Sequence, residues 1–88
     1  MSDTVAISST NEVVELEEGF NKFEKSALVW VYMNNQYKIS MYTDSFEYFE
    51  ESDMISLSSN QTFIHNIENY EAYRDQKTDR INIKINLI

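Results

Sequence analysis

Two β-prone runs, Leu28-Val-Trp-Val-Tyr-Met33 and Gln36-Tyr-Lys-Ile-Ser-Met-Tyr42, are separated only by Asn34-Asn35. Asn tolerates positive φ better than any residue but Gly, so this pair suits the type I′ turn of tight hairpins. A turn there makes Met33 face Gln36 and fixes the register of what precedes and follows. Tyr32 then pairs with Tyr37, Trp30 with Ile39 and Leu28 with Met41 on one side. The other side pairs Val31 with Lys38 and Val29 with Ser40. The first face is wholly apolar and aromatic and the second is mixed. The expected core is therefore built on Leu28, Trp30 and the tyrosines.

The rest of the chain has to supply a cover for that face. Its 88 residues suffice for one domain with a single modest core, and a hydrophobic content of 42% is that of a folded protein. One Gly and no Pro leave little linker material. The absence of Cys excludes disulfides, thiolate metal sites and Cys nucleophiles, and is compatible with a reducing cytoplasm. The N-terminus has no basic region followed by a long apolar run, so no signal peptide is expected. No stretch reaches the roughly 18 apolar residues of a membrane span. The expectation is a soluble cytoplasmic protein.

In chain order, residues 1–8 are expected to be a loose arm and 9–88 a single domain. Ser9 and Glu12 fit a capping box, and Val13, Leu16, Phe20 and Phe23 recur at helical spacing behind it. This predicts a helix over Thr10–Lys25. Gly19 would cost such a helix about 1 kcal/mol, and would instead serve as a turn closing a short strand at Glu12–Leu16. Asp44 with Glu47 is a second capping box, predicting a short helix to Asp53 with Phe46 and Phe49 inward. Met54–Ser58 is a weak strand candidate, and Ser59-Asn60-Gln61 punctuates the chain. Ile64, Ile67 and Tyr70 share one helical side, predicting a helix over Gln61–Asp75. Finally Ile81, Ile83, Ile85 and Leu87 alternate with Asn82, Lys84 and Asn86, the cleanest strand signal in the chain.

These pieces predict an α+β domain. A small antiparallel sheet, made of the hairpin 27–43 and the C-terminal strand 80–88, is covered on one face by two or three short helices. Lys38, Ser40, Asn82, Lys84 and Asn86 are expected on its solvated face.

Charge goes beyond a generic small domain. The net charge is −8, and residues 1–73 hold thirteen acids against Lys22, Lys25 and Lys38 only. Residues 74–88 are net positive, through Arg74, Lys77, Arg80 and Lys84. Between Lys38 and Arg74 there is no base, and there lie Asp44, Glu47, Glu50, Glu51, Asp53, Glu68 and Glu71. Such a field repels nucleic acid and anionic membranes and attracts basic clefts. On helices these carboxylates would stand about 5–6 Å apart at Cβ. Direct nucleic-acid or membrane binding is not expected, whereas binding to a nucleic-acid-binding protein is.

In length, in lacking Cys and Pro, and in interleaving acids with aromatics, as in Asp44-Ser-Phe-Glu-Tyr-Phe-Glu-Glu-Ser-Asp53, the chain resembles small acidic phage proteins. Those proteins imitate DNA and block restriction or CRISPR nucleases. The likeness is compositional and includes no aligned motif. It implies a non-enzymatic, phage-encoded inhibitor in the host cytoplasm, with carboxylates standing in for phosphates. The contacts it suggests are Glu15, Glu18, Asp44, Glu47, Glu50, Glu51, Asp53, Glu68 and Glu71, with Tyr48 as an exposed anchoring ring. An acidic surface also arises simply as solvation, since net negative charge favours solubility.

Other chemistry finds little footing. His65 is the sole histidine, so no His-based metal cluster or His pair can form. Glu50-Glu51 near Asp53 lacks the ligand pattern and turn glycine of an EF-hand loop, and no Gly-rich phosphate loop exists. No cofactor or metal is expected. Two alternatives use the same surface features. One is an immunity or antitoxin protein that neutralises a basic toxin. The other is an interaction module, such as a homodimer sealed by the apolar C-terminal strand.

Overall fold

A computed structural model describes residues 11–57 and 61–88. The expected arm at 1–8, the Ser9 cap and Ser59-Asn60 lie outside the described residues. Within them the chain forms seven strands and no helix, which overturns the α+β expectation. The strands are β1 (Asn11–Val14), β2 (Phe20–Met33), β3 (Gln36–Phe49), β4 (Met54–Leu57), β5 (Thr62–His65), β6 (Ile67–Asp75) and β7 (Arg80–Leu87). Among the described residues no helix is long and apolar enough to cross a membrane.

One sheet holds all seven, in the order β1-β6-β7-β2-β3-β4-β5. Neighbours are antiparallel except β2 and β7, which run parallel. The C-terminal strand forms as predicted, with Ile81, Ile83 and Ile85 buried. It lies in the middle of the sheet between β6 and β2 and so offers no edge for a dimer. The expected helix over 10–25 is instead the short β1, a loop, and the start of β2. Gly19 turns the chain there with φ 86°, the alternative that its helix cost had suggested.

The sheet curls until its inner face closes on itself. Strands β3 and β6 are three places apart, about 14 Å in a flat sheet. Yet the Tyr70 ring lies 5.1 Å from both Phe46 and Tyr48. Two local devices produce the curl. Residues Phe23–Ser26 of β2 stand opposite Asp44 alone, between the pairs Lys22–Ser45 and Ala27–Thr43, so β2 bulges and bends. Thr43 braces the bend, its hydroxyl donating to the Ser45 carbonyl at 2.7 Å and accepting from the Ser45 amide at 3.2 Å. A second kink sits at Asn66, whose φ of 61° separates β5 from β6 by one residue. The enclosed core centres on Val29, Ile55, Leu57, Ile83 and Ile85, all without solvent exposure, together with Ala27, Phe46 and Ile64.

The hairpin turn is as expected, with Asn34 and Asn35 at φ 54° and 64° and Met33 paired with Gln36. Its faces are not. Tyr32 pairs with Tyr37 but Val31 pairs with Ile39, so Lys38 is an extra residue in β3. That bulge slides the remaining register by one. Trp30 now faces Ser40, and Val29 faces Met41. A one-residue slip exchanges the two faces. Val29 and Val31 therefore enter the core, while Leu28, Trp30 and Tyr32 are half-buried on the outer face beside Asn82, Lys84 and Asn86.

Candidate protein-binding surface

Alternation along short strands places every second side chain outside, whatever its chemistry. In the half of the sheet made by the start of β2, the end of β3, β4 and β5, Phe46, Tyr48, Ile55 and Ile64 face inward. Their neighbours must then face out. Cross-strand pairing aligns Phe20, Glu47, Ser56 and Phe63 in one row and Phe49, Met54 and His65 in the next. Phe20, Phe49 and Phe63 are 54%, 37% and 58% exposed. Scattered exposed apolar residues are ordinary; here three phenylalanines, which have no polar atom to hydrate, share one outer face.

Carboxylates surround this face. Glu47 stands within it on β3, and Glu50, Glu51 and Asp53 occupy the turn from β3 to β4, which an Asp53 amide to Glu50 carbonyl bond closes at 3.3 Å. No helix carries them, so the expected helical row of carboxylates does not exist. Tyr48 does not serve as the predicted exposed ring. It is half-buried and turns inward against Tyr70. Desolvation, then the charges of Asp53 and Glu50, raise its phenol above the ordinary value of 10.0.

The loop between β1 and β2 brings more acids to the same end. Asn21, 8% exposed, clips this loop to the sheet. Its Oδ1 accepts from the Glu17 amide at 2.8 Å, and its Nδ2 donates to the carbonyls of Glu17 (2.9 Å), Gly19 (3.3 Å) and Phe46 (3.3 Å). Glu17 and Glu18 consequently share a groove with Glu50, Tyr48 and Tyr70, and Glu15 and Glu18 share the adjoining one with Glu71. Asp44 lies apart at the bend and accepts from the Ser26 hydroxyl. Glu68 is exposed near the start of β6. Among the described residues, Glu15, Glu18, Glu47, Glu50, Glu51, Glu68 and Glu71 form no ion pair; Arg74 pairs with Glu12 at 3.9 Å and with Asp79 at 3.1 Å.

The opposite outer face has a different character. Rows across β6, β7, β2 and β3 read Tyr73-Asn82-Leu28-Tyr42, then Glu71-Lys84-Trp30-Ser40, then Asn69-Asn86-Tyr32-Tyr37. These aromatics largely satisfy one another. Trp30 Nε1 donates to Asn82 Oδ1 at 3.2 Å, and Trp30 and Tyr32 each lie 6.0 Å from Tyr37 in tilted or edge contacts. Arg80 covers the Tyr42 ring at 4.8 Å and Lys84 the Tyr32 ring at 4.9 Å, both within cation–π range. The rings of this face contact one another and two cations, and Tyr37 and Tyr42 still keep 53% and 56% of their surface exposed.

The acidic end thus combines unpaired charge with apolar anchors, the makings of a protein contact. The charge pattern of the sequence singles out Glu47, Glu50 and Glu51, whereas helical spacing places Phe20 and Phe49 on inward stripes; both rings are exposed instead. Among the described residues no cluster of His, Asp and Glu has the grouping a metal ion needs. In comparisons with known proteins, no family model, curated protein or solved structure matches this chain.

Proposed function

We infer that this chain is a non-enzymatic binding protein whose acidic, phenylalanine-bearing face occupies the nucleic-acid-binding surface of a basic protein. A defence nuclease blocked by a DNA-mimicking, phage-encoded inhibitor is the form of this reading that the composition suggests. The observation that carries it is the juxtaposition of Phe20, Phe49 and Phe63 with Glu47, Glu50 and Glu51, none of which has an ionic partner among the described residues. Unpaired carboxylates speed and orient encounter with a basic surface, and the rings that stand among them supply the affinity as they are desolvated. A merely solubilising surface requires the charge but not the three exposed rings.

Affinity capture from a nuclease-treated bacterial lysate, eluted with rising salt, tests the reading. It predicts retention of a basic nucleic-acid-binding protein that salt releases steeply and duplex DNA displaces. Partners indifferent to salt and to DNA would overturn it. Retention of a basic protein that duplex DNA fails to displace would leave acidic recognition standing but refute mimicry, as an immunity protein bound away from its toxin's nucleic-acid site would.

A further inference from the structure

The outer face of β6, β7, β2 and β3 is electrically unlike the rest of the chain. Its rows Tyr73-Asn82-Leu28-Tyr42, Glu71-Lys84-Trp30-Ser40 and Asn69-Asn86-Tyr32-Tyr37 include only two charged residues, Glu71 and Lys84, which stand opposite each other. A chain of net charge −8 therefore carries one face of rings, carboxamides and balanced charge. Toward the hairpin turn a groove of about 430 Å³ lies over Asn69 and Asn86, walled by Asn34, Asn35 and Glu68 and reaching Lys84. We propose that this face binds a neutral oligosaccharide, with sugar hydroxyls in the groove and a sugar ring against Tyr37. This goes beyond the acidic-recognition reading and uses neither its phenylalanines nor Glu47, Glu50 and Glu51.

A hydroxyl both donates and accepts, so neighbouring hydroxyls of a sugar are matched by a donor and an acceptor side by side. Asn86 Nδ2 donates to Asn69 Oδ1 at 2.7 Å. That bond leaves Asn86 Oδ1 as an acceptor and Asn69 Nδ2 as a donor, with no other side-chain partner among the described residues. The pair offers one amide NH2 and one amide oxygen whichever carboxamide donates. Asn34 and Asn35 add two exposed carboxamides, Lys84 a donor held 4.9 Å from the Tyr32 ring centre, and Glu68 an acceptor. The C–H face of a sugar ring packs on the electron-rich face of an aromatic ring. Tyr37, exposed and in the same row as Asn69 and Asn86, supplies that ring. Asn69 on β6 and Tyr37 on β3 are three strand spacings apart, about 14 Å along the sheet, which suits several linked sugars rather than one. Charge selects the class. A nucleic-acid strand also stacks on such rings, but its phosphates would approach a chain of net charge −8, whereas a neutral sugar is indifferent to that field.

The test titrates the whole protein with chitotetraose, cellotetraose and maltotetraose in turn, and separately with an oligodeoxythymidylate. Trp30, the single tryptophan, lies 6.0 Å from Tyr37 and reports ring contacts by fluorescence, while NMR follows the side-chain amides of Asn69 and Asn86. The expected result is that at least one tetrasaccharide moves both signals to saturation and the oligonucleotide moves neither. Tyr37→Ala and Asn69→Ala alter exposed side chains, so both variants should fold, and each should weaken sugar binding about tenfold. Glu47→Gln, Glu50→Gln and Glu51→Gln combined should leave sugar binding unchanged, which separates this site from the acidic face. No response to any of the three sugars, a stronger response to the oligonucleotide, or sugar binding that survives both single substitutions overturns the proposal and leaves acidic recognition standing.

Discussion

Replacing Val29 with Ala and, separately, Leu28 with Ala tests the inverted hairpin. Val29 has no solvent exposure and packs between Met41 of β3 and Ile83 of β7. Removing two buried carbons costs about 1.6 kcal/mol at roughly 0.8 kcal/mol per methylene, and the cavity left behind raises this to about 2–3 kcal/mol. For a domain of this size each kcal/mol moves Tm by about 4–8 °C, so Val29→Ala should melt roughly 10–20 °C early. Leu28 loses three carbons but is half-buried on the outer face, opposite Tyr42 and beside Asn82. Its replacement should cost about 1 kcal/mol or less. Urea unfolding followed by the fluorescence of the single tryptophan measures both. A larger loss for Leu28→Ala than for Val29→Ala would refute the bulge at Lys38 and restore the unslipped register.

Asn21→Ala should destabilise by about 1–3 kcal/mol, because it unclips the loop at Glu17 and Gly19 and leaves the Phe46 carbonyl without its side-chain donor; thermal melting measures it. Asn35→Gly should stabilise by about 0.5 kcal/mol, since φ at this turn position is 64° and Gly adopts it without steric cost. Burial, then the neighbouring Tyr48, raises the Tyr70 phenol above 10.0. Burial, then Tyr32, Glu71 and Asp75, does the same for Tyr73. The folded state therefore holds these protons more tightly than the unfolded chain. That stability is complete below about pH 10 and is lost as pH rises through the folded values, so alkaline melts should fall off above pH 10 and Tyr70→Phe should flatten the fall.

The strand 80–88 and the Asn34-Asn35 turn were legible because each is locally regular. Ile81, Ile83 and Ile85 alternate without interruption, and two consecutive Asn residues suit positive φ. The weaker strand signal at Met54–Ser58 also forms, as β4 at Met54–Leu57, whereas the helix expected over 10–25 gives way to a strand, a loop and the start of another strand. The helices expected over 44–53 and 61–75 fail for one shared reason. A kink or bulge inserts a residue between inward-facing positions, and period two then imitates the helical three-to-four. Ile64, Ile67 and Tyr70 are three apart because Asn66 takes a positive φ and the pairing between β6 and β7 shifts between Ile67 and Asn69. Thr43 and Phe46 are three apart across the bend at Asp44. The capping boxes at Ser9 and Asp44 carried no contrary weight, since the same residues serve loops and bends equally well. The acids of the candidate surface were visible as charge, but the phenylalanines beside them were not. Their exposure follows from strand alternation, and alternation was the signal that the bulges hid.

Charge reversal at the acidic face tests the central claim most directly. Glu47→Lys, Glu50→Lys and Glu51→Lys are combined in one variant, and its affinity for the protein captured by the native chain is measured by titration calorimetry alongside its thermal melt. All three side chains lie outside the core and lack ionic partners among the described residues, so Tm should move by only a few degrees. Affinity should fall about 100-fold or more, and the steep salt dependence of binding should disappear. Unchanged affinity in a folded variant would contradict the account and reduce the acidic face to solvation.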